Sequence, residues 1–328
     1  MAVKARAAAI ATDADAVAAA EEILAAKGSA VDAVVAGFFS LAGRSPAVLF
    51  APAVALLFGA GAGARAFDGR AVQPGAGAAR PRGHLPDEEP PLQARVAAPR
   101  APHMVVLMHA SQGRRPLREA AKRGAAEAKR AGASRRAELI GQIGEGAIQP
   151  LLRTETLRAQ LRIAGANVGG QLTEDDLAEP SSTDEPARVA KADNDVSVIQ
   201  EPWPSAGAGP VAAIAAVDAW GLAAAIASFA GDQSRGVLVP ELEVTLPAVA
   251  EPVRRGHTRV APHTALPVPA RIALVDAGAA LRAAVIFEGE RAGKGPLLRP
   301  TIAAGLAGWG AALAALSESG QARPWRAT

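Results

Sequence analysis

The side chains this chain lacks are the first limit on its chemistry. Its 328 residues include no cysteine and no tyrosine, which excludes disulfide scaffolding, thiolate metal sites and cysteine nucleophiles together. The five histidines, His84, His103, His109, His257 and His263, show no His-Glu-Xaa-Xaa-His or comparable ligand spacing. Neither a metal nor a cofactor is expected on that pattern. Gly59-Ala60-Gly61-Ala62-Gly63 has no Lys-Ser/Thr after it and reads as a turn rather than a phosphate-binding loop. Between Arg114 and Arg136 nine basic residues face two acidic ones. No aromatic residue is interleaved to stack bases, and Glu119 with Arg123 makes a helical i,i+4 pair. The run therefore reads as a solvated helix face, not a nucleic-acid surface.

The elements that would position any site are legible in part. Thr12 or Asp13 caps a helix to about Ala26, with Gly28 as its left-handed stop, and Ser29 caps a second helix to about Leu41 whose Val31, Val34, Val35 and Phe38 face a core. Residues 47–58 read as one or two buried strands, and a turn at 59–63 leads to a strand ending near Phe67. The Gly/Pro-rich stretch 69–102 is an irregular excursion, expected at the surface or poorly ordered. Helix formers dominate 116–129 and 137–163, with Asp175 and Asp176 in a capping segment before Leu177. Val196 to Ile199 is a short strand, 211–229 a helix, and 271–275 with 281–288 a hairpin around Asp276-Ala277-Gly278. A last apolar helix is expected over 302–316. No strand-helix rhythm suits a doubly wound sheet, so layered helices and antiparallel strands, an α+β fold, fit better.

The bulk properties are permissive. The chain is long enough for a large core, and its net charge of +3 gives electrostatics little weight despite a pI near 9.7. Lysine is scarce among the 35 basic residues, the coding bias of a GC-rich bacterial genome. Asp13 and Asp15 interrupt the amino-terminal apolar run, so a cytoplasmic protein is expected. The most apolar stretch, 37–59, contains Arg44, Pro46 and Pro52, so no membrane span is expected.

The run from Glu21 through Lys27-Gly28-Ser29-Ala30-Val31-Asp32-Ala33-Val34 resembles the amino-terminal signature of gamma-glutamyltranspeptidases. The likeness continues in the family's order. Gly113-Arg114-Arg115-Pro116-Leu117 is similar to its Gly-Arg-Leu-Pro segment, and Gly169 to Leu177 to its Gly-Gly-Leu-Leu-Thr-Xaa-Asp-Leu segment. Pro202-Trp203-Pro204-Ser205-Ala206-Gly207-Ala208 is similar to its Pro-Pro-Ser-Ser-Gly-Gly loop, and Arg271 to Asp276 to its nucleophile strand. The resemblance implies a four-layer αββα N-terminal-nucleophile hydrolase sandwich, a single domain over 1–328, incomplete at the C-terminus. It also implies self-cleavage before a threonine whose hydroxyl then attacks and whose freed amine is the base.

That threonine is missing. Anchored on Val275-Asp276, the family's Thr-Thr-His falls on Pro269, Ala270 and Arg271, and no catalytic residue is expected. Thr258 and Thr264 are the rescue candidates, both upstream of the strand. Arg70 in Asp68-Gly69-Arg70-Ala71 matches the arginine that in the family grips a substrate carboxylate, while Ser205 and Gly207 survive from the oxyanion loop. Three readings remain open. The first is a catalytically inactive subunit or scaffold in a protein complex, homo- or hetero-oligomeric. The second is an active gamma-glutamyl or amide hydrolase or transferase with an unconventional threonine, and the third a small-molecule binder using the remnant pocket.

Overall fold

The computed structural model describes residues 7–59, 61–79, 83–145, 154–178, 182–191, 197–204, 212–230, 236–268, 271–276, 282–288 and 299–305. In chain order the elements are β1 (Ala8–Ala11), α1 (Ala14–Ala25), α2 (Ala30–Arg44), β2 (Ala53–Phe58), β3 (Ala64–Gly69), α3 (Ala101–Gln112), α4 (Leu117–Arg130), α5 (Ser134–Gly144), α6 (Thr154–Ala164) and α7 (Glu174–Ala178). Ten strands follow: β4 (Asp184–Pro186), β5 (Arg188–Lys191), β6 (Ser197–Gln200), β7 (Ala212–Val217), β8 (Ala223–Ser228), β9 (Gly236–Val239), β10 (Val244–Pro247), β11 (Arg271–Asp276), β12 (Arg282–Glu288) and β13 (Arg299–Gly305).

Two antiparallel sheets lie face to face, one ordered β1-β7-β8-β2-β3-β4 and the other β13-β12-β11-β6-β5. Strict alternation builds two cores from the first sheet. Val54 and Leu56 of β2, with Ala213, Ala215, Val217, Ala223, Ala225 and Ala227 of β7 and β8, meet Ile199, Ile272 and Leu274 of the second sheet. The alternate residues Ala55, Leu57, Ile214, Ala216, Ala224 and Ile226 pack under α1 to α5. A strand buried on both faces carries no polar residue to mark its period. Among the described residues helices cover the first sheet, giving helix, sheet and sheet in succession.

α2 lies between the other helices and the sheet, and every residue from Ala30 to Gly43 is buried, so the four-residue apolar face expected from sequence is in fact the whole circumference. Ser29 caps it in a reciprocal box with Asp32. α4 crosses it at two glycines: a Cβ at Gly43 would strike the Gly124 carbonyl, and one at Gly124 the Phe39 carbonyl.

Several expectations are corrected. The α1 stop is a Schellman turn in which Lys27, not Gly28, is left-handed (φ 60°); the Lys27 and Gly28 amides donate to Leu24 and Ile23. Gly28 is required instead by space, since a Cβ there would lie 2.5 Å from Ile23 Cγ2. Of the one or two strands expected within 47–58, one forms, β2. The excursion 69–102 is irregular and exposed over 77–79 and 85–89, as expected, but its ends are interior: Ala71, Val72, Gln73, Val96, Ala97 and Ala98 are buried, and Val72 pairs with both Ala98 and Ala265. α3 was not foreseen. The expected 211–229 helix is the β7–β8 hairpin, because Asp218 Oδ1 accepts the Trp220 and Leu222 amides and Gly221 turns at φ 82°. The described part of the expected 302–316 helix is strand β13, and the rest of it, with residues 277–278, lies outside the described residues. Glu119 pairs with Arg115, and Arg123 with Glu127, in place of the expected Glu119–Arg123 pair.

Candidate functional site

β3 ends in Asp68 and Gly69, and α3 starts at its flank. A Cβ on Gly69 would meet Met104 Sδ at 2.7 Å, so the glycine lets the helix sit directly against the strand end. Arg70 follows immediately and is 7% exposed, so it is not a solvated loop arginine. Asp68 holds it on three hydrogen bonds of 2.9 Å, from the Arg70 amide and Nε to Oδ1 and from Nη2 to Oδ2. The guanidinium carbon lies 4.8 Å from the Trp203 ring centroid, within cation–π range. Trp203 comes from the segment after β6, so this contact joins the ends of the two sheets.

The same ends place Glu201 at the start of β11. Its Oε2 accepts the Ile272 amide at 3.2 Å, and the residue is 1% exposed. β11 is paired along its whole length with β12, from Arg271↔Phe287 to Asp276↔Arg282, and with β6 from Ala273↔Gln200 to Asp276↔Ser197. Its register is therefore fixed from both sides, and Arg271 is its first residue.

Behind Arg70 stand two groups that the motifs did not single out. Arg100 is the N-cap residue of α3 and His103 lies in its first turn; they are 8% and 5% exposed. Burial pushes the Arg100 guanidinium below its ordinary value, with Asp68 opposing and Arg70 reinforcing the shift. Burial, reinforced by Arg100, pushes His103 down to about 4, so its ring is neutral near pH 7. Arg100 and His103, polar residues at i and i+3 beside buried Ala101, Met104 and Val105, were a signal in the sequence.

Of the expected site residues, the structure brings Arg70 to the sheet ends next to Trp203. Ser205, Gly207, Pro269 and Ala270 lie outside the described residues. Thr258 and Thr264 are both exposed. The Thr264 carbonyl accepts the Gln73 amide, and two residues on the Leu266 amide donates to Ala71, so Thr264 belongs to a segment clamped along 71–73. Thr258 sits on a turn beyond that segment, beside Arg259, which donates to the Pro74 and Gly75 carbonyls.

Neither a family model nor a curated protein matches this sequence. Solved structures do. A cephalosporin acylase from Bacillus halodurans superposes with a TM-score of 0.66 at 14% identity, over 87% of this chain and 78% of that one. A gamma-glutamyltranspeptidase from Pseudomonas nitroreducens, complexed with L-DON, superposes with a TM-score of 0.51 at 19% identity, over 60% of this chain and 71% of that one. At such identities the likeness is one of architecture, and among the described residues no helix is long and apolar enough to cross a membrane. The chain has the N-terminal-nucleophile hydrolase fold, in the form shared by gamma-glutamyltranspeptidases and cephalosporin acylase.

Proposed function

We propose that this protein is a catalytically silent bearer of that fold, acting as a non-catalytic subunit or scaffold in a complex with another protein chain. The residue at the head of β11 carries the reading. In the resembling family a threonine opens this strand, supplying nucleophile and base from one residue. Here Pro269, Ala270 and Arg271 occupy the corresponding positions, and the pairing of β11 with β6 and β12 supports the reading, since Thr264 would have to displace that register to reach the strand. Moving Thr264 to the strand would also break the hydrogen bonds to Gln73 and Ala71. A fold kept without its nucleophile serves by what it contacts.

Intact mass spectrometry under denaturing conditions, on protein from its native host, tests both halves. A single uncut mass together with a copurifying chain is expected. Two fragments divided before Thr258 or Thr264 would make the protein an enzyme, and an uncut chain that is monomeric and alone would remove the scaffold role.

A further inference from the structure

The first turn of α3 gathers donors that no described residue satisfies. Arg100 offers no side-chain acceptor to cap the helix, and Pro102 has no N–H to be capped. The amides of Ala101 and His103, in residues 0% and 5% exposed, make no hydrogen bond among the described residues. Nor does the enclosed Arg100 Nε or either ring nitrogen of His103. Buried backbone and side-chain donors are almost always paired, and here several go unpaired within a single helical turn.

The charges do not balance either. Asp68 already accepts three hydrogen bonds from Arg70, and among the described residues the charges that shift Arg100 are those of Asp68 and Arg70. Two guanidinium groups thus share one carboxylate in an enclosed place, and an uncompensated buried charge is strongly destabilising. A helix N-terminus with free amides and an adjoining cation is suited to a negative group.

We propose that the start of α3 is a binding site for a small carboxylate, held by Arg100, His103 and the free amides of Ala101 and His103. One monoanion neutralises the excess charge, whereas a dianion such as phosphate leaves the enclosure negative. The planar fork of Arg100 matches a carboxylate edge, and the neutral His103 ring supplies one N–H donor to a second oxygen. The site does not rest on the silent-scaffold reading, since it uses neither the head of β11 nor any hydroxyl.

The test uses the full chain labelled with nitrogen-15 and sodium acetate as the probe, at constant ionic strength and neutral pH. The His103 ring resonances, assigned by comparison with His103→Gln, shift saturably in the wild type. Arg100→Met weakens acetate binding by about tenfold or more, while Arg158→Met on the exposed face of α6 leaves it unchanged. A wild-type titration that does not saturate overturns the site, as does one that Arg100→Met leaves unaltered. Tighter binding of phosphate than of acetate overturns the monoanion assignment. A second measurement covers the folding of the variant. In chloride Arg100→Met melts at or above the wild-type temperature, because methionine removes an unpaired charge, and acetate raises the wild-type melting temperature only. Melting of Arg100→Met well below wild type in chloride makes Arg100 structural and sinks the proposal.

Discussion

His103 makes this protein sensitive to mild acid. In the folded chain burial, with help from Arg100, lowers its pKa to about 4, against an ordinary 6.5. Between those values the unfolded chain binds a proton that the folded chain refuses, so stability rises with pH across the window and is lost as pH falls through it. The full difference corresponds to about 3 kcal/mol, and the part between pH 7 and pH 5 to about 2 kcal/mol. Asp32 acts elsewhere. Burial raises its carboxyl, but the approach of His109 and the amides of Ser29, Arg114 and Arg115 outweigh that and hold it below 3.8; its contribution is present above 3.8 and lost only as pH falls below it. Urea unfolding at pH 7 and pH 5, in buffers free of carboxylates, measures the His103 effect, and His103→Leu removes it. The wild type should lose about 2 kcal/mol more than the variant over this interval. Equal losses in the two proteins would refute the argument, since the proton would then be going elsewhere.

Three further substitutions probe the frame that holds the site. Asp32→Asn, which leaves one oxygen to serve the Ser29, Arg114 and Arg115 amides, should cost about 2–4 kcal/mol in urea unfolding at pH 7. Gly124→Ala should cost about 3 kcal/mol, because the new methyl meets backbone of α2 that cannot move aside; the same unfolding measurement reads it. Lys27→Gly should raise the melting temperature, relieving a left-handed lysine worth roughly 1 kcal/mol.

What could be read from the sequence divides along a physical line. Three of the five segments that carried the resemblance turn out to be locks between distant parts of the chain. Asp32 of the first accepts the Arg114 and Arg115 amides of the second, and its Oδ1 lies 3.2 Å from His109 Nε2. Asp176 of the third caps its own helix through Thr173 and also accepts the Gly75 and Ala76 amides. A buried carboxylate that satisfies several amides at once is costly to replace, because each orphaned donor adds its own penalty, so such positions keep their residue type whether or not the protein turns over a substrate. The resemblance was therefore legible where it specifies the fold. It faded where it would specify chemistry, at Pro269 to Arg271.

The misses have the opposite cause. β7 and β8 are built mostly from alanine and isoleucine buried on both faces, so helix propensity pointed one way while the main contrary sign was the Asp218 turn, whose force comes partly from a bond to the Ala30 amide 188 residues away. The 69–102 excursion read as surface because Gly and Pro dominate it. The burial of its two ends depends on residues that arrive late in the chain: Gln73 exchanges hydrogen bonds with Glu251, His263 and Thr264, and the Ala97 amide donates to Pro247. Arg100 and His103 follow the second of these contacts, and their unpaired donors appear only once α3 has packed beside the end of β3. A site defined by what surrounds it leaves little trace in local sequence. Here the trace was two polar residues three apart at the start of a helix whose first half is otherwise apolar.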